Sequence, residues 1–272
     1  MFDTHIHTKN SHDSKQTIDE VCLSAIEKGI SGVCITNHIP SSRNRCLEED
    51  LEVIKSDYKD VLYARKKYGD RLKIYLGAEL ADYSISDEVF KTIPEKYELD
   101  IALGSLHGFY IDGVEIHFSR DIMDGSVSDK IINERLKEYF NVVLLTAKEC
   151  DIDTLCHLTY PLRYIVGKYK RNVDINDYKD QITEIFKTII ERNIALEINT
   201  SGIGTAIDET MPMRSLIKLY YDLGGRLITL GSDAHSKENI AKGFCKVKKD
   251  LKEIGFEKYC YFEKRKRKYI SL

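Results

Sequence analysis

The chain has 272 residues, of which 42% are hydrophobic and 31% are charged, and its formal net charge is −3. This length suits one large α/β domain, and the scarcity of Pro and Gly clusters predicts a single domain over 1–272 without a linker. The near balance of charge excludes a general attraction to nucleic acid, so no nucleic-acid partner is expected. The basic run at 264–268 is interpreted as a solvated edge.

Membrane and secretory segments are not indicated. No apolar run approaches the roughly 20 residues that a membrane helix needs, and His5 and His7 stand where the n-region of a signal peptide would lie. The seven cysteines are scattered without a C-x-x-C pair, which is typical of reduced thiols, and Cys34 and Cys156 are interpreted as core residues. The sequence therefore predicts a cytoplasmic protein with no membrane partner.

Taken in chain order, apolar segments of strand length alternate with segments of helical periodicity. After a first strand between Phe2 and Ile6, strands are predicted at 30–35, 72–76, 101–103, 154–156, 195–198 and 227–230. Helices are predicted at 14–28, Leu47–Tyr68, 86–93 (stopped by Pro94), 129–150, 178–193, 212–223 and 240–254. Residues 108–127 are predicted as an irregular loop or hairpin that turns at Asp112-Gly113, and 158–176 as a second insert.

Each of the seven predicted strands ends in a side chain that can bind metal or form hydrogen bonds. These residues are His7, His38, Glu79, His107, His157, Asn199 and Asp233. Buried strands joined by helices form parallel sheets with right-handed crossovers. An open sheet concentrates its site at one switch point, whereas a barrel collects residues from every strand at its C-terminal face. The pattern therefore predicts a barrel of seven strands with its site at that face.

Histidines and carboxylates dominate these strand ends. His5 and His7 are two residues apart, so both imidazoles lie on one face of the first strand. Six of the eight histidines fall at strand ends, together with the carboxylates of Asp13, Glu79 and Asp233. Because structural zinc sites depend on cysteine, a set of histidines and carboxylates predicts catalytic metal.

Six motifs, taken together and in order, resemble the polymerase-and-histidinol-phosphatase (PHP) family, in particular its histidinol-phosphate phosphatase branch. They are His5-x-His7, Thr36-Asn37-His38, Gly77-Ala78-Glu79, Gly104-Ser105-Leu106-His107, Cys156-His157-Leu158 and Gly231-Ser232-Asp233-Ala234-His235. The resemblance extends from the first strand to the tail. It implies a distorted (β/α)7 TIM-like barrel with three divalent metal ions, and zinc, manganese and iron are all compatible with such ligands.

The resemblance also assigns metal ligands. One ion would be held by His5, His7, Glu79 and Asp233. The second would be held by Glu79, His107 and His157, with Glu79 bridging, and the third by Asp13, His38 and His235.

Asp13 is preferred to its neighbour His12 because the family's ligand falls six residues after the second histidine of the H-x-H motif, and His12 is the alternative. Two positions depart from the family pattern. Asn37 stands where aspartate is commoner, and Ile203-Gly204 stands where some relatives have a basic or bulky residue. The second departure weakens the expectation of phosphate or substrate contacts on that loop.

The activity that the resemblance implies is hydrolysis of L-histidinol phosphate to L-histidinol and phosphate in histidine biosynthesis. The residues agree with this chemistry, since adjacent divalent ions lower the pKa of a shared water and neutralise phosphoryl oxygens. A metal-bound hydroxide would attack phosphorus, with Glu79, Asp233 and Arg163 as catalytic residues. The alternatives are another small phosphate ester or a nucleotide as substrate, or a metal-binding structural or regulatory module.

Substrate contacts are expected from the two inserts, because barrel loops determine specificity. Arg163 is predicted to bind phosphate through its guanidinium fork, with a solvated loop arginine as the alternative. Tyr160 either lines the pocket or packs in the core, and His117 either contacts substrate or is an ordinary loop residue. Glu197 and Asn199 share a strand face, where they either hydrogen-bond to ligands or fill the barrel.

Overall fold

The computed structural model describes residues 1–39, 47–82, 87–121 and 127–272. The strands are β1 Phe2–Ile6, β2 Gly32–Ile35, β3 His38–Ile39, β4 Lys73–Ala81, β5 Ile101–Ser105, β6 Gly108–Ile111, β7 Val114–His117, β8 Thr154–Leu155, β9 Ala195–Asn199, β10 Ile228–Gly231, β11 Lys258–Glu263 and β12 Lys266–Ser271. The helices are α1 Ile18–Glu27, α2 Leu47–Tyr68, α3 Asp87–Lys96, α4 Asp129–Glu149, α5 Tyr160–Leu162, α6 Lys179–Glu191, α7 Arg214–Asp222 and α8 Phe244–Ile254.

A parallel sheet forms the centre of the fold, in the order β1-β2-β4-β5-β8-β9-β10, with β3 paired to β4. β1 and β10 meet at the seam, where Ile6 forms a parallel bridge with Ala234. The Asp233 amide donates there to the His5 carbonyl oxygen at 2.8 Å. The His7 amide donates to the Ala234 carbonyl oxygen at 3.0 Å. These contacts bring the first and last strands together, and the predicted distorted (β/α)7 barrel is confirmed.

Capping determines where α1 begins and ends. The Thr17 hydroxyl accepts from the Glu20 amide, and the Glu20 carboxylate accepts from the Thr17 amide, which is a reciprocal capping box. The predicted helix began at Ser14, but the Ser14 hydroxyl instead donates to the His235 carbonyl oxygen at 3.1 Å. After the helix, Gly29 adopts a φ of +67°, which glycine tolerates without a steric penalty.

β4 is longer than predicted, and it carries Glu79 inside the sheet. The predicted strand stopped at 76, whereas β4 continues to Ala81 because neighbouring strands pair with it on both sides. Glu79 stands opposite His38 of β3 and Leu103 of β5. The pairing therefore fixes the backbone of Glu79 and buries its side chain completely.

The first insert contains the hairpin β6–β7, which turns at Asp112 and Gly113 with φ values of 50° and 80°. The sequence left an irregular loop or a hairpin open here, and the structure has the hairpin, while 122–126 lie outside the described residues. The second insert contains α5 and a π-helical turn, Arg163–Lys168. Pro161 stands in the first turn of α5, where its missing N–H is not needed. The prediction that the third helix stops at Pro94 is wrong, since α3 continues to Lys96, and its predicted start at 86 lies outside the described part.

The C-terminal tail is an antiparallel hairpin, β11–β12, which the sequence did not predict. It packs at the N-terminal end of β1. The Phe2 amide donates to the Tyr259 hydroxyl at 2.9 Å, and the Phe2 ring stacks on Tyr261 with centroids 3.9 Å apart. Arg265, within the basic run, donates to Asp153 at 2.9 Å. The solvated-edge interpretation is therefore wrong at Arg265, although 266–268 are exposed.

The cysteines in the described part are all free, and Cys245 is the exposed one among them. Cys34 and Cys156 are buried, and Cys46 lies outside the described residues. None of the described helices is both long enough and apolar enough to cross a membrane.

Candidate metal centre

Glu79 stands at the centre of a cluster of imidazoles at the C-terminal face of the barrel. At Oε1 lie Nε2 of His157 (2.9 Å) and of His107 (3.3 Å). At Oε2 lie Nδ1 of His38 (2.7 Å), Nε2 of His5 (3.3 Å) and Nε2 of His7 (3.4 Å). One carboxylate has about four lone-pair sites, so it cannot accept a hydrogen bond from each of five imidazole nitrogens. Nitrogen and oxygen lone pairs that converge on one region are instead the arrangement that binds a cation. The donor set therefore fits divalent metal ions.

β1 and the loop after β10 supply another group of ligand atoms. The Nε2 atoms of His5 and His7 are 3.1 Å apart. Asp233 Oδ1 lies 3.2 Å from Nε2 of His7 and 3.7 Å from Nε2 of His5. Asp233 has a φ of 52°, in the left-handed region that residues with a side chain rarely adopt outside functional sites. The structure thus brings together three of the four side chains predicted for the first ion, with Glu79 beside them.

A third group lies nearer to solvent and contains Asp13, His38 and His235. Asp13 Oδ2 lies 3.0 Å from Nε2 of His235 and 3.2 Å from Nε2 of His38. His12 belongs to none of the possible ligand groups in the described part, and its ring centroid is 5.3 Å from that of His38. The geometry therefore favours Asp13 over His12 as a ligand.

Glu197 of β9 supports two of these histidines. Its Oε1 lies 2.7 Å from Nδ1 of His5, and its Oε2 accepts from the His157 amide at 2.9 Å. Oε2 also accepts from the Asn199 side-chain amide at 3.0 Å. Cys156 is buried, but its Sγ lies within 4.8 Å of ligand atoms of His5 and Glu197. It therefore packs against the cluster as well as in the core, where the sequence predicted it.

The buried carboxylates and imidazoles of the cluster stabilise each other's charged forms. Burial raises the pKa of Glu79, but the charges of His38 and His5 outweigh burial and hold this pKa well below its usual range. The pKa of Asp233 is likewise held well below its usual range, because His5, His7 and His235 together outweigh the effect of burial. Burial lowers the pKa of His38, but the carboxylates of Glu79 and Asp13 together raise it to about 10. Both carboxylates therefore stay ionised beside positive charge, as metal ligands must.

A cavity of about 790 Å³ opens above the cluster, a size that suits a small molecule. Arg163 lies on its wall, and Nη1 donates to Ser201 Oγ at 3.4 Å. Ser201 Oγ in turn lies 3.3 Å from Asp233 Oδ2. The guanidinium is therefore connected to a predicted metal ligand through one serine hydroxyl.

Tyr160 and His117 line the same cavity. The Tyr160 hydroxyl lies 3.1 Å from that of Tyr164, and its ring centroid is 5.0 Å from that of His107. Nε2 of His117 lies 2.7 Å from Oε1 of Glu115. Both predicted contact residues are therefore in reach of a molecule bound over the cluster.

Comparison with known proteins decides the family. Residues 3–201, well over half of the chain, match the PHP domain. The chain belongs to the PHP family. It is 33% identical over 273 aligned positions to the "Probable histidinol-phosphatase" of Clostridium acetobutylicum, with 99% of each chain covered. It is 30% identical over 257 positions to the protein of the same name from Thermotoga maritima, with 94% of each covered.

Among solved structures, this PHP protein resembles histidinol phosphate phosphatase from Lactococcus lactis in complex with zinc, L-histidinol and phosphate. The TM-score is 0.80, the identity is 22%, and the alignment covers 98% of each chain. At that identity the likeness shows a shared fold, which confirms the predicted barrel.

Three cavity residues of this PHP protein were missed by sequence reasoning: Glu115, Arg120 and Lys242. Oε2 of Glu115 and Nη2 of Arg120 lie 3.6 Å apart. None of the three stands at the end of a strand of the central sheet, which is the signal that identified the predicted ligands. For Lys242 the one available signal is its position seven residues after His235.

The departure at Asn37 has a structural reason in this member of the PHP family. Its Nδ2 donates to Oδ1 of the buried Asp57 at 2.6 Å, and its Oδ1 accepts from the Thr8 amide at 2.6 Å. The amide thus connects the segments after β1 and β2 to α2. An aspartate at this position could not donate, and it would place a second carboxylate against Asp57.

Proposed function

We propose that this PHP protein is a metal-dependent phosphomonoesterase that hydrolyses L-histidinol phosphate to L-histidinol and phosphate. The observation that carries the proposal is the convergence of histidines and carboxylates beneath a cavity of about 790 Å³. The choice of substrate comes from the relatives named histidinol-phosphatase, which are 33% and 30% identical over nearly the whole chain. L-histidinol, phosphate and zinc in the related L. lactis structure support the same choice.

We assign the clustered side chains to three divalent ions. The first would bind His5, His7, Glu79 and Asp233, the second Glu79, His107 and His157, and the third Asp13, His38 and His235. Imidazole and carboxylate ligands suit zinc, manganese or iron. Such ions, when bound, lower the pKa of water and neutralise charge on phosphoryl oxygens.

The remaining residues orient the ligands and the substrate. Glu197 would keep the His5 proton on Nδ1, so that the Nε2 lone pair faces the cluster. Arg163 would bind phosphate oxygens that the metals do not hold, because its fork matches two oxygens at once. Tyr160 and His117 would contact the leaving group from the cavity wall.

The test is an assay of protein purified without chelator on L-histidinol phosphate, a nucleoside monophosphate and a short single-stranded DNA. We expect phosphate release to be fastest from L-histidinol phosphate, by about tenfold or more in kcat/KM, and no cleavage of the DNA. Glu79→Gln serves as the control for a contaminating phosphatase. Elemental analysis should find at least two divalent ions per chain.

The other outcomes separate the alternatives. Faster hydrolysis of the nucleotide, or of another ester, would assign a different substrate to the same site. Metal content without turnover of any ester would indicate a binding module. Full activity in a metal-free preparation would reject the metal assignment.

A further inference from the structure

Lys242 is held by strained backbone on the wall of the cavity. The residues on either side of it, Ala241 and Gly243, have φ values of 53° and 78°. Ala241 carries a Cβ, so its left-handed conformation costs free energy that surrounding contacts must offset. Such outliers concentrate where a fold must present a particular side chain, and here that side chain is the lysine between them.

The contact that holds this backbone comes from a buried carboxylate. Oδ2 of Asp3 accepts from the Ala241 amide at 2.8 Å, and Oδ1 accepts from the Ser232 amide at 2.9 Å. Ser232 directly precedes the predicted ligand Asp233. One carboxylate of β1 therefore positions both the lysine loop and the ligand loop after β10.

The Lys242 ammonium lies against the loop after β9. A Cβ built on Gly204 would stand 3.2 Å from Lys242 Nζ, so the ammonium lies where a side chain at 204 would begin. The backbone of Gly204 is fixed there by its own amide, which donates to Asp208 Oδ1 at 2.8 Å. The same loop carries Ser201, the contact of Arg163. Both cations thus border one loop beside the metal cluster.

The ammonium has no carboxylate partner among the described residues. Arg120 differs in this respect, since it lies 3.6 Å from a Glu115 oxygen. Arg163 resembles Lys242, because its contact in the described part of the chain is a serine hydroxyl and not a carboxylate. A half-buried lysine without a counter-ion leaves positive charge available to an anionic ligand. A phosphate dianion is the anion that the proposed reaction brings to this cavity.

We propose that Lys242 binds the phosphoryl group of the substrate, as a second cation beside Arg163. This inference rests on the proposed function. The two residues divide the task, because the arginine fork orients two oxygens whereas the lysine is a compact point charge with three donors. The absence of a basic residue at Ile203-Gly204 is then explained, since the charge comes from the neighbouring loop.

The test uses product inhibition to distinguish binding of the phosphoryl group from binding of the leaving group. Lys242→Met should raise the KM for L-histidinol phosphate and the inhibition constant of inorganic phosphate by about tenfold. It should leave the inhibition constant of L-histidinol and the metal content unchanged. Lys242→Arg should retain phosphate binding. Lys249→Met, which removes an exposed lysine of α8 outside the cavity, is the matched control.

A second readout depends on charge alone. Inhibition by phosphate should weaken with added salt more steeply in the wild type than in Lys242→Met or Lys242→Gln. The inference is overturned if phosphate inhibition is unchanged in both variants. A change in L-histidinol inhibition alone, or loss of metal, would also overturn it.

The phosphate test of Lys242 can still be decided if the proposed function is wrong. If the wild type hydrolyses another ester instead, the same phosphate inhibition is measured on that reaction. If it hydrolyses none, calorimetric titration of metal-loaded wild type and Lys242→Met with inorganic phosphate still decides whether the lysine binds phosphate.

Discussion

Glu197 Oε1 lies 2.7 Å from Nδ1 of His5, and both side chains are completely buried. A carboxylate at this distance keeps the imidazole proton on Nδ1 and leaves Nε2 as a ligand. The other oxygen of Glu197 accepts from the His157 amide at 2.9 Å. His157 has a left-handed φ of 23°. One carboxylate therefore fixes two predicted ligands that are far apart in sequence, His5 on β1 and His157 just after β8.

Glu197→Gln should lower metal affinity and kcat/KM by about ten- to a hundredfold. The amide keeps one acceptor oxygen but presents an NH2 group where the carboxylate accepted a second hydrogen bond. Metal affinity is measured by competition with a chromophoric chelator. Glu263→Gln, at an exposed position of β11, is the control. Unchanged affinity in Glu197→Gln would mean that His5 needs no such partner.

Glu79→Gln should nearly abolish turnover while the fold remains intact. The carboxylate lies within 3.4 Å of five imidazole nitrogens, and an amide can replace neither its charge nor its second oxygen. Steady-state kinetics and circular dichroism measure the two effects. Activity within about tenfold of the wild type, or roughly 1.4 kcal/mol in barrier, would exclude a bridging role.

Asp13→Ala should lose metal from the proposed third position and most of the rate, because Oδ2 of Asp13 lies within 3.2 Å of two predicted ligands, His38 and His235. His12→Ala should keep its metal and change the rate only mildly. Elemental analysis of both variants, purified side by side, provides the comparison. The reverse ranking would make His12 the ligand.

Arg163→Ala should lower kcat/KM by about ten- to a hundredfold, because losing a charge-assisted contact costs about 1.5–3 kcal/mol. Metal content should not change, since within the described ranges Arg163 is connected to the cluster through Ser201 and not by direct contact with a predicted ligand. Arg163→Lys should restore the rate in part, because an ammonium lacks the fork. Kinetics equal to the wild type, or metal loss comparable to that of a ligand variant, would contradict phosphate binding by Arg163.

Asp57 should make stability depend on pH. Burial raises its pKa from 3.8 to about 7, so the folded state retains a proton that the unfolded chain releases. The free energy of unfolding should therefore fall as pH rises from about 4 to about 7, by no more than about 4 kcal/mol from this group.

In Asp57→Asn the side-chain oxygen can still accept from Asn10 and Asn37, and the titration is removed. The stability of the variant relative to the wild type should therefore rise between pH 5 and pH 8. Urea unfolding of both proteins in the same metal solution measures this difference, and contributions common to both proteins cancel. A difference independent of pH would show that Asp57 is ionised throughout.

The sequence by itself indicated the barrel and the candidate ligands, because both depend on short-range patterns. Alternation along β1 places His5 and His7 together, and parallel strands carry residues such as Glu79 to one face. The hairpin turn at Asp112 was equally local, since it needs only residues that accept positive φ.

Only the tertiary structure decided what surrounds those ligands. The Glu197 contact with His5 spans 192 residues, and the Asp3 contact with Ala241 spans 238. The hairpin β11–β12 likewise takes its position from Phe2 at the other end of the chain. Hydrophobic periodicity predicts which face of a helix or strand is buried, but it does not predict which residue, distant in sequence, packs against that face. The Lys242 ammonium at Gly204 is therefore a result of packing, because no local pattern brings those two residues together.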